Sequence, residues 1–167
     1  ADRDAFSHPS ANLSRERRAE FALGNALFKK LWVSAPSSTQ ASDGLGPLYN
    51  ARSCLRCHVN DGRGRPPEGP DDRSVSMVLR LSVPPRTGEE RVLLDSKALL
   101  RLPEPTYGGQ LQELGLPGLP AEGRMSIAYE TVTVEMNDGD IVELRRPIYS
   151  VAGLSHGPMH DDVMPVS

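Results

Sequence analysis

Cysteine is nearly absent from the chain: there are two in 167 residues, Cys54 and Cys57. A single pair three positions apart excludes a disulfide framework and leaves both thiols available for chemistry. Aromatic residues are also scarce, at 5%. A chain of this length can bury roughly 70% of its unfolded surface, yet it has few large side chains with which to fill a core. No apolar run approaches the roughly 20 residues that cross a bilayer, and Ala1-Asp2-Arg3-Asp4 contains no apolar signal core. The expectation is a chain without a membrane span, from which any export signal has been removed. Lys and Arg form no block and the formal net charge is -3, so the electrostatic footprint of a nucleic-acid partner is missing.

What the chain does contain is turn formers, with 15 glycines and 15 prolines, and such a chain can wrap a large flat apolar group. After an irregular start, in which His8 beside Pro9 reads as a turn residue, Ser14 to Trp32 places Ala19, Ala22, Leu23, Ala26, Leu27 and Leu31 in the stripe of an amphipathic helix. Ser14 is its expected N-cap, Glu16 suits the positive end, and Lys29 and Lys30 suit the negative end. Asn60 to Asp72 reads as a surface loop. Ser74 to Val83 alternates, with Val75, Met77, Leu79, Leu81 and Val83 on one face, which predicts a half-buried strand. Thr131 to Met136 and Ile141 to Ile148, joined by Asn137-Asp138-Gly139-Asp140, predict a hairpin.

Cys54-Leu55-Arg56-Cys57-His58 is the signature of covalent haem c attachment. In a helical turn, positions 54, 57 and 58 are i, i+3 and i+4, so both thiols and the imidazole project from one face. The thiols add to the two haem vinyl groups and His58 meets the iron as proximal ligand. Two other chemistries use this cysteine spacing. A thioredoxin-like dithiol needs a strand-to-helix junction, whereas Gly44-Leu45-Gly46-Pro47 and polar residues precede the motif here. A structural zinc site needs about four ligands, and the chain has no second cysteine pair. Covalent haem attachment takes place after export, so the expected compartment is the periplasm.

The residues around the motif add a resemblance. Asp4-Ala5-Phe6-Ser7-His8-Pro9, Gly44 to Cys54, Cys57-His58 with Asp61-Gly62-Arg63-Gly64-Arg65-Pro66-Pro67, and Tyr107-Gly108-Gly109-Gln110-Leu111-Gln112 together resemble the bacterial diheme oxidoreductases often labelled thiol oxidoreductases. Those are similar in plan to the diheme cytochrome c peroxidases. The resemblance implies two haem domains, and this chain has one attachment motif, so it is read as the N-terminal, single-haem half. It also implies a second haem domain of the full-length protein and an electron-donor protein as partners. In that plan one haem has an open distal side where peroxide is cleaved, while the other supplies the second electron.

The distal ligand decides between catalysis and electron transfer. Met77, Met125, Met136, Met159 and Met164 are the candidate methionines. Met77 and Met136 are expected on apolar strand faces, while Met159 and Met164 lie in a Pro-rich loop of the kind that carries an axial methionine. His156 and His160, separated by Gly157-Pro158, read as loop histidines, and His8 keeps a distal role open. Peroxide cleavage needs a proton carrier and an orienting polar group, for which Gln110, Gln112 and Glu113 are candidates, with Tyr107 nearby. Arg63 and Arg65 are candidates for forked bonds to haem propionates, and Trp32 for a place on an electron path. The expected fold is α+β: a cytochrome c-like helical haem domain, helical over 1–72 and elaborated by strands and long loops over 73–167. It would carry one covalent haem c and serve a peroxidase-like oxidoreductase. The competing readings are a non-enzymatic monohaem electron carrier and a dithiol redox protein.

Overall fold

A computed structural model describes residues 2, 4–73 and 76–166. The helices are α1 (Arg15–Lys29), α2 (Cys54–Cys57) and α3 (Gly88–Asp95). The strands are β1 (Val33–Ser34), β2 (Asp43–Leu45), β3 (Leu48–Tyr49), β4 (Arg80–Ser82), β5 (Leu114–Gly115), β6 (Arg124–Glu135), β7 (Ile141–Ala152) and β8 (Met164–Val166). Helix and strand are thus mixed, as α+β requires. The chain divides into two compact units: Ala1–Pro66 with Ser74–Val78 and Leu114–Pro120, and Pro67–Arg73 with Leu79–Glu113 and Ala121–Ser167. Among the described residues no helix is long and apolar enough to cross a membrane.

The first unit is built on α1. Its start is local chemistry: the Ser14 side chain accepts from Arg17 N at 3.3 Å, with Glu16 in the first turn and Lys29 in the last, a cap worth about 1 kcal/mol. Which face packs differs from the expectation. Ala19, Ala22, Leu23, Ala26, Leu27 and Leu31 are all exposed, and the half-buried positions are Phe21, Asn25 and Phe28. The helix carries apolar residues on both sides. The aromatic side, spaced i, i+4 and i+7, lines a hollow with Phe6 and Asp61. Beyond α1, Trp32 N donates to Arg52 O at 2.8 Å and Arg52 Nε donates back to Trp32 O at 3.0 Å. This clip fixes the end of the helix against the approach to α2. β1 pairs in parallel with β2, and β3 antiparallel with β5 through Leu48↔Gly115 and Tyr49↔Leu114.

The second unit holds the apolar core: Leu79, Leu81, Leu102, Tyr107, Leu111, Met125 and Ile127. The expected strand over Ser74–Val83 is regular only as β4, and Ser74 and Val75 lie outside the described residues. The alternation itself is present, with Leu79 and Leu81 buried around an exposed Arg80. β4 pairs with β8, while Leu111 N donates to Leu79 O and Leu81 N to Gly109 O. The hairpin is longer than predicted. β6 and β7 pair from Arg124↔Ala152 to Glu135↔Ile141, and Gly139, at φ +87°, takes the left-handed turn position. α3 was not predicted, although Thr87 and Glu90 form a reciprocal capping box whose pattern is readable in sequence.

Candidate functional site

α2 is one turn long, and it places Cys54, Cys57 and His58 at i, i+3 and i+4, with His58 N donating to Cys54 O at 2.9 Å. Ser53, the residue before it, is buried. Neither thiol is in a disulfide; Cys54 is exposed and Cys57 half-buried. Burial, and secondarily the neighbouring Cys54, pushes the Cys57 thiol above its ordinary range.

His58 Nδ1 lies 3.0 Å from Gly62 O. A carbonyl oxygen only accepts, so in the neutral ring Nδ1 carries the proton and Nε2 keeps its lone pair. That is the tautomer an imidazole ligand needs, and a carbonyl partner of this kind orients such ligands. On another side, the Phe28 ring lies 5.7 Å from the imidazole, tilted by 54°. The turn that supplies Gly62 O runs through Asn60 and Asp61, both left-handed at φ 56° and 58°. Gly64 then lets the loop fold back over α2: a Cβ there would stand 2.6 Å from Cys57 O and 2.8 Å from Ser76 O.

These residues fit a covalently held haem. Two thiols outside any disulfide and an imidazole oriented by Gly62 O share one helical turn. Among the described residues of this unit only Ser53 is buried, so the unit has no apolar core of its own and an apolar disc would supply one.

The other candidates are dispersed. Arg63 and Arg65 are exposed, and Arg65 Nη1 donates to Pro66 O at 3.3 Å. Trp32 has Lys30 Nζ 5.1 Å over its ring, and His8 Nε2 pairs with Asp2 Oδ2 at 3.0 Å. Met125 fills the core of the second unit. Met77 is half-buried outside any regular strand, and Met136 lies past the end of β6 and is 50% exposed, so neither occupies the strand face expected of it. Met159 is half-buried in a loop. Met164 pairs through its backbone with Ser82 in β8 rather than lying in a loop, and its side chain lies outside what the structure describes.

Gln110 and Gln112 do come together. With Arg80, Tyr107, Gly109 and Glu122 they line an open hollow of about 410 Å³. The Glu113 carboxylate instead accepts from Met125 N at the start of β6. Burial raises the Glu113 carboxyl above the ordinary range, against the lowering effects of the Met125 N–H, Arg124 and Arg73. Tyr107 is buried: its hydroxyl donates to Gly157 O at 2.6 Å and accepts from His156 N at 3.0 Å. His156 is exposed and His160 half-buried, in a segment without regular structure.

Sequence reasoning missed Gly62 as the partner of His58, Phe28 as its ring neighbour, and Glu104. Asn60-Asp61-Gly62 signals a turn, but only the folded chain shows where its carbonyl points. Glu104, between two prolines, is 1% exposed and accepts from Thr106 N, Tyr107 N and His160 N.

Compared with known proteins, residues 2–163 match a family model described as "di-haem oxidoreductase, putative peroxidase". No curated protein and no solved structure matches the chain.

Proposed function

From the premise that the chain belongs to the di-haem oxidoreductase family, we propose that it is a c-type, cytochrome c-like haem domain of an exported, peroxidase-like oxidoreductase. The observation that carries this reading is the single turn bearing Cys54, Cys57 and His58, with His58 Nδ1 held by Gly62 O at 3.0 Å. Cys54 and Cys57 would hold the haem through thioether bonds and His58 Nε2 would ligate its iron, one haem per chain. When bound, the haem would supply a one-electron redox centre.

The chain's own residues have separable tasks. Gly62 holds the His58 tautomer, and the Arg52–Trp32 clip steadies the chain ahead of the motif. Glu113 is the group we assign to proton transfer, because burial lets its carboxyl keep a proton at higher pH than an exposed glutamate. Gln110 is the orienting amide, and Arg63 and Arg65 are the cations available to haem propionates. For the distal ligand our candidates remain Met159 and Met164. A second haem-bearing domain and an electron-donor protein are the proposed partners. The periplasm is the proposed compartment, since covalent attachment follows export.

The dithiol alternative predicts instead reversible disulfide formation between Cys54 and Cys57, read by thiol trapping. Expression with the haem-maturation apparatus, followed by spectra of the oxidised and reduced protein with and without hydrogen peroxide, tests the proposal. A covalent haem that changes spectrum on adding peroxide supports it. A six-coordinate haem inert to peroxide in both redox states makes the chain an electron carrier, and a chain with no covalent haem sinks both.

A further inference from the structure

Asp61 lies three residues beyond His58 and is not a ligand candidate, yet its side chain is only 8% exposed. Its Oδ2 accepts from the Ser7 hydroxyl and lies 3.4 Å from Lys29 Nζ. Those partners come from two other places in the unit, the 3-10 turn Ala5–Ser7 and the last turn of α1. The Ser7 hydroxyl first, with Asn25 and Lys29 after it, holds the carboxyl below its ordinary range despite burial. The group is therefore a charged anchor.

What it anchors is unfavourable by itself. Asn60 and Asp61 are consecutive non-glycine residues in the left-handed region, which Asn and Asp visit as single residues rather than in succession, so tertiary contacts are needed to hold the pair. Gly62 closes the turn, its N–H donating to Val59 O at 3.2 Å. A side chain there would be crowded, since a Cβ at Gly62 would meet Phe6 Cδ2 at 3.3 Å and Val59 O at 3.4 Å. The product of this turn is one carbonyl, Gly62 O, aimed at His58 Nδ1.

We propose that Asp61 is a positioning residue for His58: tied to Ser7 and Lys29, it holds the 59–62 turn so that Gly62 O fixes the tautomer and orientation of the imidazole. The chain of contacts is Ser7 and Lys29 to Asp61, Asp61 to the turn, Gly62 O to Nδ1. A firmer Nδ1–H···O=C bond makes Nε2 a stronger electron donor. A stronger donor stabilises the oxidised metal, so the anchor lowers the reduction potential of an iron bound there. The effect on iron rests on the haem reading above; the hold on the ring does not.

The test uses the whole chain as isolated, with covalent haem scored by mass, in wild type, Ser7→Ala, Ser7→Thr and Asp61→Asn. Ser7→Ala removes the anchor's donor without changing net charge, and Ser7→Thr restores a hydroxyl. We expect the His58 Nδ1 proton to exchange with solvent at least ~10-fold faster in Ser7→Ala and Asp61→Asn, and at the wild-type rate in Ser7→Thr. In haem-loaded protein the reduction potential should rise in the same two variants, a ~10-fold shift in the oxidised-to-reduced ratio being 59 mV for one electron. Exchange and potential both unchanged in haem-loaded Ser7→Ala and Asp61→Asn would overturn the inference while leaving the haem reading intact. Faster exchange in chains that carry no haem would uphold the positioning role and remove the haem reading.

Discussion

Replacing Glu104 with glutamine perturbs the most deeply buried charged side chain among the described residues, at 1% exposure. Oε2 accepts from Thr106 N at 2.7 Å and Tyr107 N at 2.5 Å, and Oε1 accepts from His160 N at 2.8 Å. Burial by itself would raise this carboxyl; the N–H groups of Tyr107, His160 and Thr106 outweigh it and hold the group below its ordinary range. Glutamine keeps one acceptor oxygen for the Thr106–Tyr107 pair but turns an NH₂ toward His160 N, donor against donor. Hydrogen bonds to a charged group contribute about 1.5–3 kcal/mol each, and an unsatisfied buried donor costs about 1–3 kcal/mol. The expected loss is roughly 2–4 kcal/mol, which at a urea slope of about 2 kcal/mol per molar lowers the unfolding midpoint by roughly 1–2 M. The sign with pH follows from the lowered folded-state value. The carboxylate's contribution is fully present above the unfolded-state pKa of about 4.3 and is lost as pH falls through the folded-state value. The gap between wild type and Glu104→Gln should therefore narrow in acid. A midpoint shift below about 0.3 M at pH 7, or a gap unchanged on acidification, would refute the reasoning.

Gly64→Ala should cost about 1–3 kcal/mol by overpacking, because the new methyl meets the carbonyls of Cys57 and Ser76; a thermal melt measures it, and haem loading should fall in parallel. In haem-free chain, alkylation of Cys57 should accelerate ~10-fold per pH unit from pH 7 to 8.5, since a thiol raised by burial is protonated throughout that range; a pH-independent rate would contradict this. Gly139→Ala puts a side chain at φ +87° and should destabilise the hairpin by about 1–2 kcal/mol, read as faster amide exchange at Met136 and Asp140 than at Ile127. Thr87→Ala removes the capping box of α3 and should cost about 1 kcal/mol, seen as loss of helical signal confined to residues 88–95.

The turn that bears Cys54, Cys57 and His58 was legible because its geometry is local. The spacing of Cys54, Cys57 and His58 sets which side chains share a face of one helical turn, whatever surrounds it. The same holds for the Ser14 cap of α1, the Asn137–Asp140 turn of the hairpin, and the buried alternation of Leu79 and Leu81. The capping box at Thr87 and Glu90 is equally local. Family membership was legible as well, since the segments flanking the motif carry it and the family match spans residues 2–163.

Other features depended on residues far apart in the chain. α1 has apolar side chains on two faces, and periodicity favoured the stripe of Leu23 and Leu27. Only packing with Phe6 and Asp61 selects Phe21 and Phe28 instead. Gln110 and Gln112 share a hollow with Arg80 because β4 lies beside them, while Glu113 is drawn to the backbone of β6. The hold on His58 is of the same kind: Asn60 and Asp61 each tolerate the left-handed region, but as single residues, and contacts from Ser7 and Lys29, 54 and 32 residues away along the chain, tie the consecutive pair in place. Sequence by itself determined which side chains could hold a haem, because attachment geometry is fixed within one helical turn. Tertiary structure decided which carbonyl orients His58 and which face of α1 packs, because those energies come from residues that meet only when the chain has folded.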